Sequence, residues 1–468
     1  MELVVSNLIY TTDSYKVGHY CQYPFATQKV HSYFESRGGE FPETTFFGLQ
    51  YAIKKHLLTP VTYHDVEEAR HLFSQHFGNA KLFYDKGWLT LINRHGGNLP
   101  ISIHAVPEGM SIPVSNVLMT VENTDPDFWW LTSYLETLLV QTWYPTTVAT
   151  NSREIKKIIA SFLMSTTGAE DGLEFKLHDF GFRGVTCAEQ AGIGGAAHLV
   201  NFMGTDTLQA LVVARDYYDC PMAGFSIPAS EHSTITAWGR DGEYDAFENM
   251  LQQHPTGLVA CVSDSYNIYE AAKVWGTRFK DQIMNREGTL VIRPDSGYPP
   301  HVVVRLLDIL GEYFGIQTNI KGFKELPPQV RVIQGDGIDR EMVKTILYEM
   351  KSNGWAASNV AFGSGGGLLQ KFNRDTCKFA FKASAIMVDN AWNDNISKDP
   401  ITDPGKRSKA GRLTLAKDAT GFHTVPVENI KAQYNVMHEV YRDGELLEDD
   451  KLSDIRARAA LKTAEKFL

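Results

Sequence analysis

The chain has 468 residues, 43% of them hydrophobic and 21% charged, and a net charge of −10. That length allows roughly two to four domains with sizeable cores, and the composition is that of a globular protein. The acidic balance excludes a general nucleic-acid or anionic-membrane surface, while leaving room for a local basic pocket.

Five cysteines (Cys21, Cys187, Cys220, Cys261, Cys377) are scattered, with no CxxC pair. Such usage suits a reducing cytosol and argues against a disulfide framework or a structural zinc site. The opening MELVVSNLIYTTDSYK has no basic region followed by a long apolar core. No window approaches the ~18 uninterrupted apolar residues of a membrane span. The expectation is a soluble, cytoplasmic protein.

In chain order, residues 1–145 mix strand patterns (KVHSYFES, ISIHAVPEG, IPVSNVLMTVEN) with helical ones (FFGLQYAIKKHLL, HDVEEARHLFSQHF), an α+β arrangement. A different rhythm follows. FKLHDFGFRG (175–184) and AGFSIPASEHS (223–233) open a series continued by LVACVSDS (258–265), TLVIRPDSG (289–297), VRVIQGDG (330–337) and NVAFGSGGG (359–367). The later members are short runs rich in Val and Ile that stop at Asp, Gly or Ser. Between them lie the helical patterns YNIYEAAKVWGTRFKDQIM, PPHVVVRLLDILGEYF and DREMVKTILYEMKSNGW. The intervals Asp264 to Asp295 (31), Asp295 to Asp336 (41) and Asp336 to Gly363 (27) each fit one β-loop-α unit. Continuous apolar strands imply burial on both faces, as in a parallel sheet wrapped by helices. Past about 390 the chain turns basic and loop-like (KDPITDPGKRSKAGR, 398–412), then closes with strands and a charged helix.

Polar residues gather at the C-terminal ends of these strands, where α/β barrels and open α/β sheets keep their active sites. As a set, Asp179, Arg183, His232, Asp264, Arg293, Asp295, Asp336 and the Gly363–Gly367 loop are candidates. Asp339, opening DREMVKTIL, reads as a helix cap instead. Four glycines within 363–367 ask what approaches the main chain: a phosphate at a helix N-terminus, or only a tight turn.

Arg183, Arg293 and Arg374, with Lys382, Lys398 and the basic run 406–412, match phosphate oxygens. Acids and arginines at one mouth point to a phosphorylated sugar, with Asp295 and Asp336 accepting from hydroxyls and the Gly365–Gly366 amides taking phosphate. Structural ion pairing around a barrel rim is the alternative. In SEHSTITAW (230–238), His232 could be a general base or accept a phosphoryl group, its tautomer fixed by Glu231 or Asp264. No HExxH or His-rich spacing points to a protein-held transition metal, whereas Mg²⁺ carried by a diphosphate needs only carboxylates and waters.

With these motifs go TDSYKVGHYCQYP (12–24), YPTTVATNSRE (144–154), AGIGGAAHLVNFMGTDT (191–207), FGSGGGLLQK (362–371) and DPGKRSKAGRL (403–413). Together they closely resemble the nicotinamide phosphoribosyltransferase family, type II phosphoribosyltransferases, over nearly the full length. The resemblance implies a type II phosphoribosyltransferase α/β barrel at 148–388. It also implies a flanking α+β sandwich domain built from residues 1–147 and 389–468. The implied activity makes nicotinamide mononucleotide and diphosphate from nicotinamide and phosphoribosyl pyrophosphate, in NAD salvage. It further implies a homodimer with both sites at the interface, Mg²⁺ arriving with the diphosphate substrate, and ATP as a coupled substrate.

By matching motif, the resemblance implies that Phe180 stacks on the pyridine ring and Tyr15 covers its other face from the second subunit. Asp206 in GTDT would accept from the carboxamide NH2, with Asp13 near the same pocket. Arg293, Asp295 and Asp336 would hold the ribose beside Gly335, with Arg293 also near the pyridine ring, and Gly365 and Gly366 the 5′-phosphate. Arg183 would bind on the near side, while Arg37, Arg374, Lys382 and Lys398 would reach the phosphates across the interface. His232 would be phosphorylated by ATP, oriented by Glu231 and Asp264, with Asp295 also in the catalytic group. A nicotinate phosphoribosyltransferase would share the barrel and the glycine loop but place a positive or neutral donor at Asp206. A lyase or aldolase would want a Schiff-base Lys or a metal triad at a strand end, and neither stands out.

Overall fold

In the computed structural model, which describes residues 7–402 and 407–467, the later Val- and Ile-rich runs and the short LHD of HDFGF form parallel strands. These are β1 (Leu177–Asp179), β2 (Gly204–Thr205), β3 (Gly257–Val262), β4 (Gly288–Arg293), β5 (Val330–Gln334) and β6 (Val360–Ser364). Their order in the sheet is β2-β1-β6-β5-β4-β3, parallel throughout. The segment expected as a further strand joins the two edges: Phe225 bridges to Gly204 and Ala229 to Ala260, both in parallel. The sheet is thereby closed into a ring, which removes its exposed edges.

The strands are apolar because both faces are covered. Leu290, Ile292, Val330, Val332, Val360 and Phe362 are buried, while Ala260, Val291 and Ile333 form a separate inner cluster with Ile227, Ala361 and Phe180 packed on it. The connecting helices follow from their sequences. Pro299 occupies the first turn of Pro299–Phe314, where its missing N–H costs nothing. In Arg340–Ser352, Val343, Ile346, Leu347 and Met350 lie on one buried stripe. Asp339 caps that helix as expected, accepting from Met342 N at 3.0 Å.

A second sheet is antiparallel and seven-stranded. Its order is Ala391–Asn393, Phe379–Val388, Thr27–Ser36, Val117–Asn123, Ile101–Ala105, His438–Arg442 and Glu445–Leu446. N- and C-terminal segments therefore build one sheet, over a core that includes Trp88, Trp130, Phe34 and Phe46. The chain divides into two units. One runs up to Thr150 and takes Asp216–Asp219 and Phe372–Arg458; the other holds Asn151–Arg215, Cys220–Lys371 and the residues from Ala459 on. Phe379–Val388 lies within the 148–388 span expected of the barrel, yet it pairs with Thr27–Ser36 in the antiparallel sheet. The DPGK part of the DPGKRSKAGRL motif, 403–406, lies outside the described residues, as do the first six residues and the last. No helix among the described residues is long and apolar enough to cross a membrane.

Within the antiparallel unit Glu108 is buried and accepts from Gln50 N at 2.8 Å. Burial, with the Asp450 charge adding to it, pushes its carboxyl from 4.5 up to about 7. The folded chain thus holds this proton more tightly than the unfolded chain does. Stability from this group is present below about pH 4.5 and falls as pH rises through about 7, by on the order of 3 kcal/mol. Glu108→Gln keeps an acceptor and removes the titration. Its Tm is expected to be flatter than that of the wild type over this window, and an equal decline in both proteins would contradict the assignment.

Candidate active site

The ring delivers its polar residues to one end, around a pocket of about 840 Å³. From the loop after β1 come Phe180 and Arg183, from β2 Asp206, and from the closing segment Glu231 and His232. The β4 end gives Arg293 and Asp295, the β5 end Gly335 and Asp336, and the β6 end Gly365 and Gly366. Phe182, Gly184, Thr207 and Ser233, none of them singled out from the sequence as site residues, complete the lining.

The glycines of 363–367 divide by function. A Cβ on Gly363 would lie 1.9 Å from Cε2 of Phe180, and one on Gly367 would lie 2.4 Å from the Ile338 carbonyl. These two glycines therefore permit close packing. A Cβ on Gly366 would meet nothing within 4 Å. Gly365 and Gly366 open the turn Gly366–Leu369, whose first N–H groups have no carbonyl behind them within the helix.

Phe180 is set by its neighbours. Its N–H donates to Ser364 O at 2.9 Å, and its ring lies against the main chain of β6. The next turn is tied by the fully buried Asp179, whose Oδ1 accepts from Gly181 N at 2.7 Å. Burial pushes the Asp179 carboxyl up to about 6. Over the Phe180 ring, 6.0 Å from its centroid, sits the Arg293 guanidinium. Arg293 Nη2 donates to Asp295 Oδ2 at 2.9 Å, and its Nε is buried without a hydrogen-bond partner among the described residues.

His232 and Asp264, 32 positions apart, meet at the mouth. His232 Nε2 lies 3.0 Å from Asp264 Oδ1, and its Nδ1 lies 3.8 Å from Asp295 Oδ2. Asp264 is itself fixed, since its Oδ2 accepts from Asp295 N at 3.1 Å and Ser296 Oγ at 2.6 Å. The Glu231 carboxylate accepts from Ser233 Oγ, while Asp264 is the carboxylate bonded to the imidazole.

The remaining candidates lie in the antiparallel unit. Asp13 accepts from Thr137 Oγ1 at 2.7 Å, and Tyr15 is 63% exposed. Arg37 Nε donates to Glu35 at 2.8 Å, Arg374 is largely exposed beside Asp375, and Lys398 is exposed. Burial holds the Lys382 ammonium below its ordinary value, with the Glu136 carboxylate opposing the shift and the cations Arg37, Lys16 and Arg374 adding to it.

The comparisons with known proteins agree with this architecture. The family model for the nicotinate phosphoribosyltransferase (NAPRTase) family matches residues 175–445, and the model for the N-terminal domain of nicotinamide phosphoribosyltransferase matches residues 7–103. A nicotinamide phosphoribosyltransferase of Xanthomonas campestris pv. campestris is 50% identical, over 97% of this chain and 98% of its own length. One from Acinetobacter baylyi is 30% identical, over 97% of each chain. Among solved structures, human nicotinic acid phosphoribosyltransferase superposes with a TM-score of 0.57 at 15% identity, over 97% of this chain and 95% of that one. A nicotinate-nucleotide pyrophosphorylase from Pyrococcus furiosus gives 0.59 at 17% identity, over 98% and 96%, and both likenesses concern the fold alone. With a model match over more than half its length and full-length relatives of one name, the chain belongs to the nicotinate phosphoribosyltransferase family of pentosyltransferases and groups there with the nicotinamide phosphoribosyltransferases.

Proposed function

We propose that this enzyme joins nicotinamide to phosphoribosyl pyrophosphate, releasing diphosphate and nicotinamide mononucleotide, as the entry step of NAD salvage in the cytoplasm. The observation that carries the reading is the convergence in one pocket of an aromatic face (Phe180), a carboxylate (Asp206), two further acids with an arginine (Arg293, Asp295, Asp336), and the Gly365 and Gly366 main chain. An aromatic face gives affinity for a pyridine with little selectivity, and the carboxylate supplies the preference for an amide.

The pyridine nitrogen is already an uncharged nucleophile. It attacks C1 of the ribose as the C1–O bond to diphosphate breaks, so no general base is needed. Positive charge grows at C1 on the way, and carboxylates fixed nearby stabilise it. Asp295 suits that role because Arg293 holds its side chain. Mg²⁺ enters as part of the diphosphate substrate. On the pocket wall Asp295 and Asp336 would hold such a cation, which would offset the charge on the departing diphosphate. Arg183, which lines the same pocket, is assigned to the near phosphate. Tyr15, Asp13, Arg37, Arg374, Lys382 and Lys398 are proposed to act on the site of a second copy in a homodimer.

ATP is the proposed coupled substrate, transferring its terminal phosphoryl group to His232. With the Nε2 proton turned to Asp264, Nδ1 keeps the lone pair that attacks phosphorus while ADP departs. His232→Asn is expected to lose the stimulation by ATP and to take up no label from terminally labelled ATP. Stimulation at the wild-type level in that variant would contradict the phosphohistidine.

A further inference from the structure

The segment that closes the ring carries a hydroxyl with no role in the chemistry above. Its two ends are pinned to the edge strands. Phe225 N donates to Met203 O at 2.7 Å, Phe225 O accepts from Thr205 N at 3.0 Å, and Pro228 O accepts from Ala260 N at 2.8 Å. Ser226 lies between those anchors, and its Oγ donates to Oδ1 of Asp206. The main chain of Asp206 is held separately, its N–H donating to the Asp179 carbonyl at 2.9 Å.

An exposed carboxylate turns about two torsions unless a partner holds it, and the Asp206 side chain is exposed at the pocket. Ser226 has one proton and commits it to one oxygen. Among the described residues no side chain donates to the other, which is left for a donor entering the pocket. The mount is rigid because it stands on hydrogen-bonded main chain rather than on a free loop.

We propose that Ser226 is a specificity-determining positioning residue for the transferase reaction. It fixes the plane of the Asp206 carboxylate, so that one oxygen faces the carboxamide NH2 of the incoming base. A base bearing a carboxylate in that place meets only acceptors. This rests on the role proposed for Asp206.

Steady-state kinetics of Ser226→Ala, Ser226→Thr and Asp206→Asn with nicotinamide, nicotinic acid and phosphoribosyl pyrophosphate test it. Ser226→Ala is expected to raise the KM for nicotinamide about tenfold, as loss of one charge-assisted hydrogen bond would, and to narrow the amide preference similarly. The KM for phosphoribosyl pyrophosphate is expected to hold, and Ser226→Thr, which keeps the hydroxyl, to restore nicotinamide binding. A wild-type KM for nicotinamide in Ser226→Ala overturns the proposal. So does a fall in kcat with both KM values raised and no rescue by Thr, the mark of a merely structural residue. In either case Asp206→Asn still loses its amide preference if the Asp206 reading is right. An unchanged preference in Asp206→Asn is the separate result that removes that reading, and this proposal with it.

Discussion

Asp206→Asn is expected to reverse the choice of base. In the wild type, nicotinic acid would set its carboxylate against that of Asp206. Two such charges ~4 Å apart cost about 4 kcal/mol at an effective dielectric of ~20. In the variant, Ser226 Oγ keeps its acceptor by bonding the new amide oxygen, which turns the NH2 toward the pocket. That group can donate to the carboxylate of nicotinic acid, whose kcat/KM is expected to rise about a hundredfold. Nicotinamide loses a charge-assisted hydrogen bond and is expected to fall about tenfold. The check is the ratio of kcat/KM for the two bases, and a ratio within threefold of the wild type would remove Asp206 from the specificity role.

Gly363→Ala is expected to disable the enzyme from a position outside the pocket lining. The added methyl would lie 1.9, 2.2 and 2.7 Å from three atoms of the Phe180 ring. Phe180 cannot step back as a whole, because its N–H is bonded to Ser364 O at 2.9 Å on the same strand. The ring must therefore rotate away from the face proposed for the pyridine, at about 1–3 kcal/mol of packing strain. We expect the KM for nicotinamide to rise about a hundredfold and the KM for phosphoribosyl pyrophosphate to change far less. Wild-type kinetics in this variant would show that the ring does not need its present position.

The same glycine marks the limit of what the amino-acid pattern reveals. Four glycines before an apolar turn are legible as a close approach, but not as two kinds of approach. Gly363 and Gly367 face a ring and a carbonyl, while Gly366 faces open space, and only the folded chain decides what stands opposite. The barrel itself was readable from Val- and Ile-rich runs ending in polar residues, because parallel strands buried on both faces must be apolar. His232 and Asp264 were readable as neighbours since strand ends of one ring converge. Which of Glu231 and Asp264 bonds His232 is not legible in the sequence, and in the folded chain the Glu231 carboxylate accepts from Ser233 Oγ. Phe379–Val388 follows the barrel motifs directly, yet its partner Thr27–Ser36 lies some 350 positions earlier, and such pairing leaves no local mark. Ser226 carried no signal at all, being a small polar residue in SIPAS with its partner 20 positions away.

The most direct measurement is mononucleotide formation from phosphoribosyl pyrophosphate and Mg²⁺, with nicotinamide and nicotinic acid offered together at equal concentration, with and without ATP. Nicotinamide mononucleotide as the dominant product, raised by ATP, is the expected result. Product mainly from nicotinic acid would leave the fold and family intact and contradict the amide-selective assignment.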